Sequence, residues 1–197
     1  MLQEERYMKK KILSILISLG CIFLCLSVGI GVCNCFNRWR YDIGKYEIKS
    51  FKENKNSFDI VASTLLDFYN EEQNNNANLK HIIVDKTPND TWELTCGIDL
   101  NNENDYILQK NTTPQEKDAY ASISELFAQT DGRGICFIKV SQDRVIFSTY
   151  SEYAIIFMKN ATRPSYIISE NEAYKSIYVE KLSANYYQAI GKKHADP

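Results

Sequence analysis

Two histidines, six cysteines and a spread of carboxylates are the residues from which this chain could build chemistry. His194 lies in a polar C-terminal stretch, so His81 is the one imidazole available for acid–base work or metal binding. Asp85 follows it by four positions, and because side chains alternate along a strand the pair would share a face. That is the geometry of a hydrolytic acid–base pair, although a pair of polar side chains on an edge strand has the same spacing. Zinc needs more nitrogen and sulfur ligands than His81, Cys96 and Cys136 offer, so no metal is expected. Asp99, Glu103 and Asp105 form an acidic loop, but it lacks the spacing and sharp-turn glycine of a calcium site. Phosphate-cradling loops, H-E-x-x-H, G-x-S-x-G and G-x-G-x-x-G are all absent, and with them any implied cofactor.

Cys96 and Cys136 each fall in a strand-like segment. They could form a disulfide if the domain faces an oxidising compartment and the strands bring their Cα atoms within about 7 Å; the alternative is two buried free thiols. The other four cysteines sit in an apolar run, where Cys33 and Cys35 are placed for acylation in a cell that acylates thiols. Tyrosines crowd the last third of the chain. Tyr150, Tyr153, Tyr166, Tyr174 and Tyr178 are the candidate contact surface for a protein or a glycan, against the ordinary reading that they pack on a sheet.

The elements that must position these groups can be read from periodicity. Phe58, Val61, Ala62, Leu65, Leu66 and Tyr69 recur at helical spacing, with Asn56 or Ser57 as a cap and the polar run 70–76 as a loop after it. Residues 80–86 and 91–98 read as a hairpin around the turn 87–90. Residues 99–110 read as a loop containing a short strand at Tyr106, Ile107 and Leu108. A second helix opens at Thr113, where Pro114 suits the first position and Thr113-x-x-Glu116 is a capping box; Asp131-Gly132 stops it. Three strands follow at 135–140, 144–149 and 153–158, then a break at Arg163-Pro164-Ser165 and final strands at 174–182 and 186–190. The order helix, hairpin, helix, meander predicts an α+β fold, with two helices packed on a mainly antiparallel sheet. No internal repeat is visible.

Ahead of this domain, Ile12 to Phe36 contain no Asp, Glu, Lys or Arg and one Asn, Asn34. That length suffices for a transmembrane helix. Lys9 to Lys11 precede it and Arg38, Trp39, Arg40 and Tyr41 follow, as interface anchors would. The run exceeds the apolar part of a cleaved signal, although Gly29 and Gly31 would serve as a cleavage pair and would release a secreted domain. Basic residues balance across the run; the compact lysine triplet favours a cytoplasmic N-terminus and an extracytoplasmic domain. The expected organisation is a basic tail at 1–11, a membrane helix or long signal at 12–36, a linker at 37–52, the α+β domain at 53–190 and a polar tail at 191–197.

Residues 1–40 hold six of the 23 basic and two of the 25 acidic residues, which leaves 17 against 23, or −6, in the remainder. A negative domain makes a poor face for nucleic acid, so none is expected as a partner. Membrane lipid through residues 12–36 and a protein or glycan are the partners to expect.

Ser124-Glu125-Leu126-Phe127, Cys136-Phe137-Ile138-Lys139-Val140 with Val145-Ile146-Phe147, Ala154-Ile155-Ile156-Phe157 before Pro164, and Glu180-Lys181-Leu182-Ser183 with Asn185-Tyr186-Tyr187 make up a pattern over residues 115–190. It resembles small uncharacterised envelope-associated proteins of low-GC Gram-positive bacteria. The resemblance implies a fold and an envelope location and no activity. Taken together, the sequence points to a membrane-anchored extracytoplasmic binding module, with an envelope hydrolase around His81 and Asp85 or a secreted domain as alternatives.

Overall fold

A computed structural model describes residues 17–33, 35–36, 50–84, 91–98, 105–131, 135, 137–148, 153–164, 166–168 and 173–193. The chain divides into two compact units, residues 1–44 and residues 45–197. In the first, residues 17–33 are helical (α1) with their side chains exposed, Phe23 at 75% and Leu24 at 65%. Among the described residues no helix is long and apolar enough to cross a membrane. The described stretch of α1 falls short of the roughly 20 residues a span takes; residues 12–16 and Asn34 of the expected run lie outside the description.

The second unit is α+β. Helix α2 (Phe51–Asn75) leads into strands β1 (His81–Val84), β2 (Thr91–Gly97) and β3 (Tyr106–Asn111). Helix α3 (Pro114–Asp131) leads into β4 (Phe137–Ser141), β5 (Arg144–Ser148) and β6 (Tyr153–Met158), and β7 (Tyr166–Ile168), β8 (Ala173–Lys181) and β9 (Tyr186–Lys193) complete the sheet. Among the described residues nine antiparallel strands lie in the order β3-β2-β1-β4-β5-β6-β9-β8-β7. The first six form two helix-plus-meander halves that meet where β1 pairs β4, with Ile83 opposite Lys139. This topological two-fold is invisible at residue level. After β6 the chain travels to the far edge and returns, so that β9 pairs β6.

Opposed residues in an antiparallel pair share a face, which divides the sheet cleanly. Ile82, Val84, Leu94, Cys96, Ile138, Val140, Phe147 and Tyr186 face the helices. Phe58 of α2 meets the rings of Phe147, Phe127 and Tyr186, and Trp92 meets Tyr120 of α3. On the opposite face Ile146, Ala154, Ile156, Met158, Tyr187 and Ala189 form a second buried cluster. Part of its cover is the segment from Lys159 to Pro164: the Tyr187 hydroxyl donates to the Ala161 carbonyl at 2.6 Å, Arg163 donates to Val179, and Pro164 is buried. Central strands buried on both sides carry continuous apolar runs, as in Tyr153–Met158, instead of alternation.

The capping box is formed as expected. Thr113 Oγ1 accepts from the Glu116 amide at 3.2 Å, and Glu116 Oε2 accepts from the Thr113 amide at 2.8 Å. Other boundaries move. Helix α2 starts at Phe51, which is 4% exposed and stacks on Phe58 and Tyr186, so neither Asn56 nor Ser57 caps it and the linker ends sooner. The same helix continues through the polar run to Asn75, because Gln73 bonds the Tyr69 hydroxyl and the Asn76 amide closes onto Glu72. Strand β9 extends to Lys193, since pairing with β8 supplies the backbone bonds that a free tail would lack. Strand β7 was not foreseen.

Candidate functional site

Strand β1 places His81 opposite Gly97, and the glycine's missing side chain is what admits the imidazole. The ring is buried, at 6% exposure. Burial first, and then the Lys139 and Lys80 ammoniums against an opposing pull from Asp105, lower its pKa to about 4. It is therefore neutral across the physiological range and shielded from solvent. The expected reading as a surface pair on an edge strand is corrected on both counts: β1 lies between β2 and β4, and His81 is in the core. Asp85 lies outside the described residues.

Cys96 is a free, buried thiol. Burial, with the Glu72 carboxylate next, raises its pKa to about 11, which favours the thiol over the thiolate. Tyr106 is its cross-strand partner, and burial raises the phenol's pKa. β1 stands between β2 and β4, so the latter are two strand spacings apart, roughly 9–10 Å, which is beyond disulfide reach for paired positions. Cys136 itself precedes β4 and lies outside the described residues. Among the described residues no group of three or more metal-binding side chains gathers.

The tyrosine set disperses. Tyr153 is 1% exposed and donates to Gln188 Oε1 at 3.1 Å, deep under the helix-facing side, so it is no contact residue. Gln188 passes the network on to Glu180, to which Tyr178, half-buried, also donates at 3.2 Å. Tyr166 lies on β7 and Tyr174 on β8, while Tyr150 is outside the described residues. Of the two readings of the tyrosines, a contact surface and packing on the sheet, Tyr153 takes the second, because strand pairing buries it.

A different group of residues comes together at one end of the sheet. Where β1 begins, β4 turns into β5, β6 ends and α2 ends, an open cleft of about 710 Å³ is lined by Tyr69, Gln73, Lys80, Gln142, Asp143 and Asn160, with Leu79, Ser141 and Lys159 beside them. Tyr69 donates to the Leu79 carbonyl at 3.2 Å and receives Gln73 Nε2 at 3.2 Å, and burial, with Asp143 nearby, raises its pKa. Asp143 is held by Arg144 through two bonds of 2.9 and 3.2 Å, and its carbonyl accepts the Lys159 amide at 2.8 Å. The walls thus present amide donors and acceptors, the Tyr69 and Ser141 hydroxyls, the Asp143 carboxylate and the Lys80 and Lys159 ammoniums, on a turn fixed by hydrogen bonds. Among the described residues no imidazole lines the cleft. The sequence reading puts Tyr69 on an apolar helix face and Lys80 at a strand start, and treats Gln73, Gln142 and Asp143 as loop or turn; the one signal is that Ser141-Gln142-Asp143, Lys159-Asn160 and Gln73 are polar positions at element ends.

Set against protein-family models, curated proteins and solved structures, the chain matches none of them.

Proposed function

We propose that this protein is a membrane-anchored, extracytoplasmic binding module that takes a polar ligand, best a glycan, in the cleft between Gln73, Gln142 and Asn160. The observation that carries the binding reading is the cleft itself, rich in side-chain amides and with no imidazole or thiol among its described lining residues. Amides serve glycan hydroxyls well, because each presents both donors and an acceptor. The anchor rests on the uncharged run from Ile12 to Phe36 and on its basic and aromatic flanks. The resemblance of residues 115–190 to envelope-associated proteins of low-GC Gram-positive bacteria is consistent with that location.

The hydrolase alternative depends on His81 reaching a substrate, and its burial against Gly97 argues against this. The secreted alternative depends on cleavage near Gly31. Three experiments separate these readings. Full-length protein is expected in the membrane fraction, released by detergent and not by carbonate; recovery in the soluble fraction with an intact N-terminus removes the anchor. N-terminal sequencing of the mature protein exposes cleavage. Binding to cell-wall glycan fragments, followed by ligand-observed NMR, is expected to weaken about tenfold or more in the Gln142→Ala, Asn160→Ala double variant, as the loss of two hydrogen bonds implies. Equal binding by both proteins removes the cleft.

A further inference from the structure

Apart from the residues of α1 and Phe36, the one large apolar side chain strongly exposed among the described residues is Ile107, at 64%. It sits on β3, which ends the sheet beside β2. An edge strand offers a row of backbone N–H and C=O groups to any second strand, and proteins usually blunt such an edge with proline, a bulge or an outward lysine. Strand β3 has none of these. Its sequence YILQKN lacks proline, its pairing with β2 is regular over six residues, and its single lysine is turned away. Lys110 Nζ lies 5.4 Å over the Trp92 ring and bonds Glu116 at 3.1 Å, so its charge is spent inside the fold.

We propose that β3 pairs antiparallel with β3 of a second copy of this chain, in a symmetric register centred on Leu108. The choice of occupant follows from self-complementarity. Opposed residues of an antiparallel pair must share a face, which restricts a two-fold pairing to registers centred on a residue. Centred on Leu108, the half-buried leucines meet on the helix-facing side, Tyr106 stands opposite the second copy's Lys110, and Ile107 opposite its Gln109. One step beyond, Asp105 comes opposite Asn111, a carboxylate against an amide donor at both ends. No like charges are opposed, because the two Lys110 side chains are kept four positions apart. The contact extends the sheet across the two-fold and covers Ile107. A single added strand pair is smaller than the roughly 1,200 Å² of a standard interface, the class of weak, reversible contacts. The proposal does not depend on the anchor or on the cleft, and its test reads neither.

The test is light scattering of the full-length chain in mild detergent, under reducing conditions that remove thiol cross-links, through the micromolar range. A concentration-dependent dimer is expected, and Ile107→Lys should shift its midpoint upward at least about tenfold by placing an outward charge on the edge. Ile107 is exposed, so the variant should fold, which an unchanged far-UV circular dichroism spectrum and melting temperature verify. Amide exchange supplies a second reading: residues 106–110 should slow on concentrating the wild type and not the variant. A chain that stays monomeric, a dimer that survives Ile107→Lys, or β3 exchange independent of concentration overturns the proposal.

Discussion

The imidazole of His81 lies across the Cα of Gly97: a Cβ built on the glycine would stand 2.3 Å from both Cε1 and Nε2 of the ring. A contact that short forces the ring to move, and the buried site leaves it little room. Gly97→Ala is therefore expected to destabilise the domain by about 1–3 kcal/mol, the usual cost of overpacking. Adding His81→Ala should recover part of that loss. Urea unfolding of both single variants and the double variant measures the coupling, and additive effects would refute the contact.

The same residue predicts a pH dependence. A histidine whose folded pKa is lowered to about 4, from an ordinary 6.5, refuses a proton that the unfolded chain accepts. Its contribution to stability is intact above pH 6.5, falls away as the pH drops towards 4, and is constant below that. The full difference is at most about 3 kcal/mol. Carboxylates titrate in the lower part of this range, so the comparison is wild type minus His81→Gln at each pH. That difference should slope between pH 6.5 and 4 and be flat at higher pH.

Glu116 ties α3 to both α2 and β3. Burial pushes its carboxyl up, but the Thr113 amide, the Lys110 ammonium and the Thr64 hydroxyl outweigh that and hold it below the usual carboxylate range. The stabilisation is present above the ordinary pKa and lost as the pH falls through the lowered one. Glu116→Ala removes the carboxylate half of the capping box and strips Lys110 of its carboxylate partner, at an expected cost of about 2 kcal/mol in denaturant unfolding. Glu116→Gln, which keeps the shape, should cost less. Equal losses for the two variants would mean that the charge carries the whole effect, and no loss for Glu116→Gln would mean that it plays no part.

Ala161 has φ 53, in the left-handed region that a Cβ disfavours, and its carbonyl receives the Tyr187 hydroxyl. Ala161→Gly should be neutral to stabilising by up to about 1 kcal/mol, against the usual destabilising direction of such a change. Tyr187→Phe deletes the bond and should cost about 1 kcal/mol. Thermal melts of the two variants check both signs.

Local chemistry was legible along the chain wherever the signal is short-range. The capping box at Thr113, the helical face from Phe58 to Tyr69 and the strand Tyr153–Met158 stand where the pattern puts them, because caps and periodicity act within a few residues. The α+β class followed from their order. What the tertiary structure alone decided is which strands meet. Pairing β1 with β4 moved His81 from a supposed edge into the core, and returning β9 to β6 put Tyr153 beside Gln188, under the helices. The polar cleft joins turns more than 60 residues apart in the chain, from Gln73 to Asp143, and no local pattern encodes such a meeting. Burial depends on neighbours brought in from elsewhere in the chain, and hydrogen-bond pairing between distant strands chooses those neighbours.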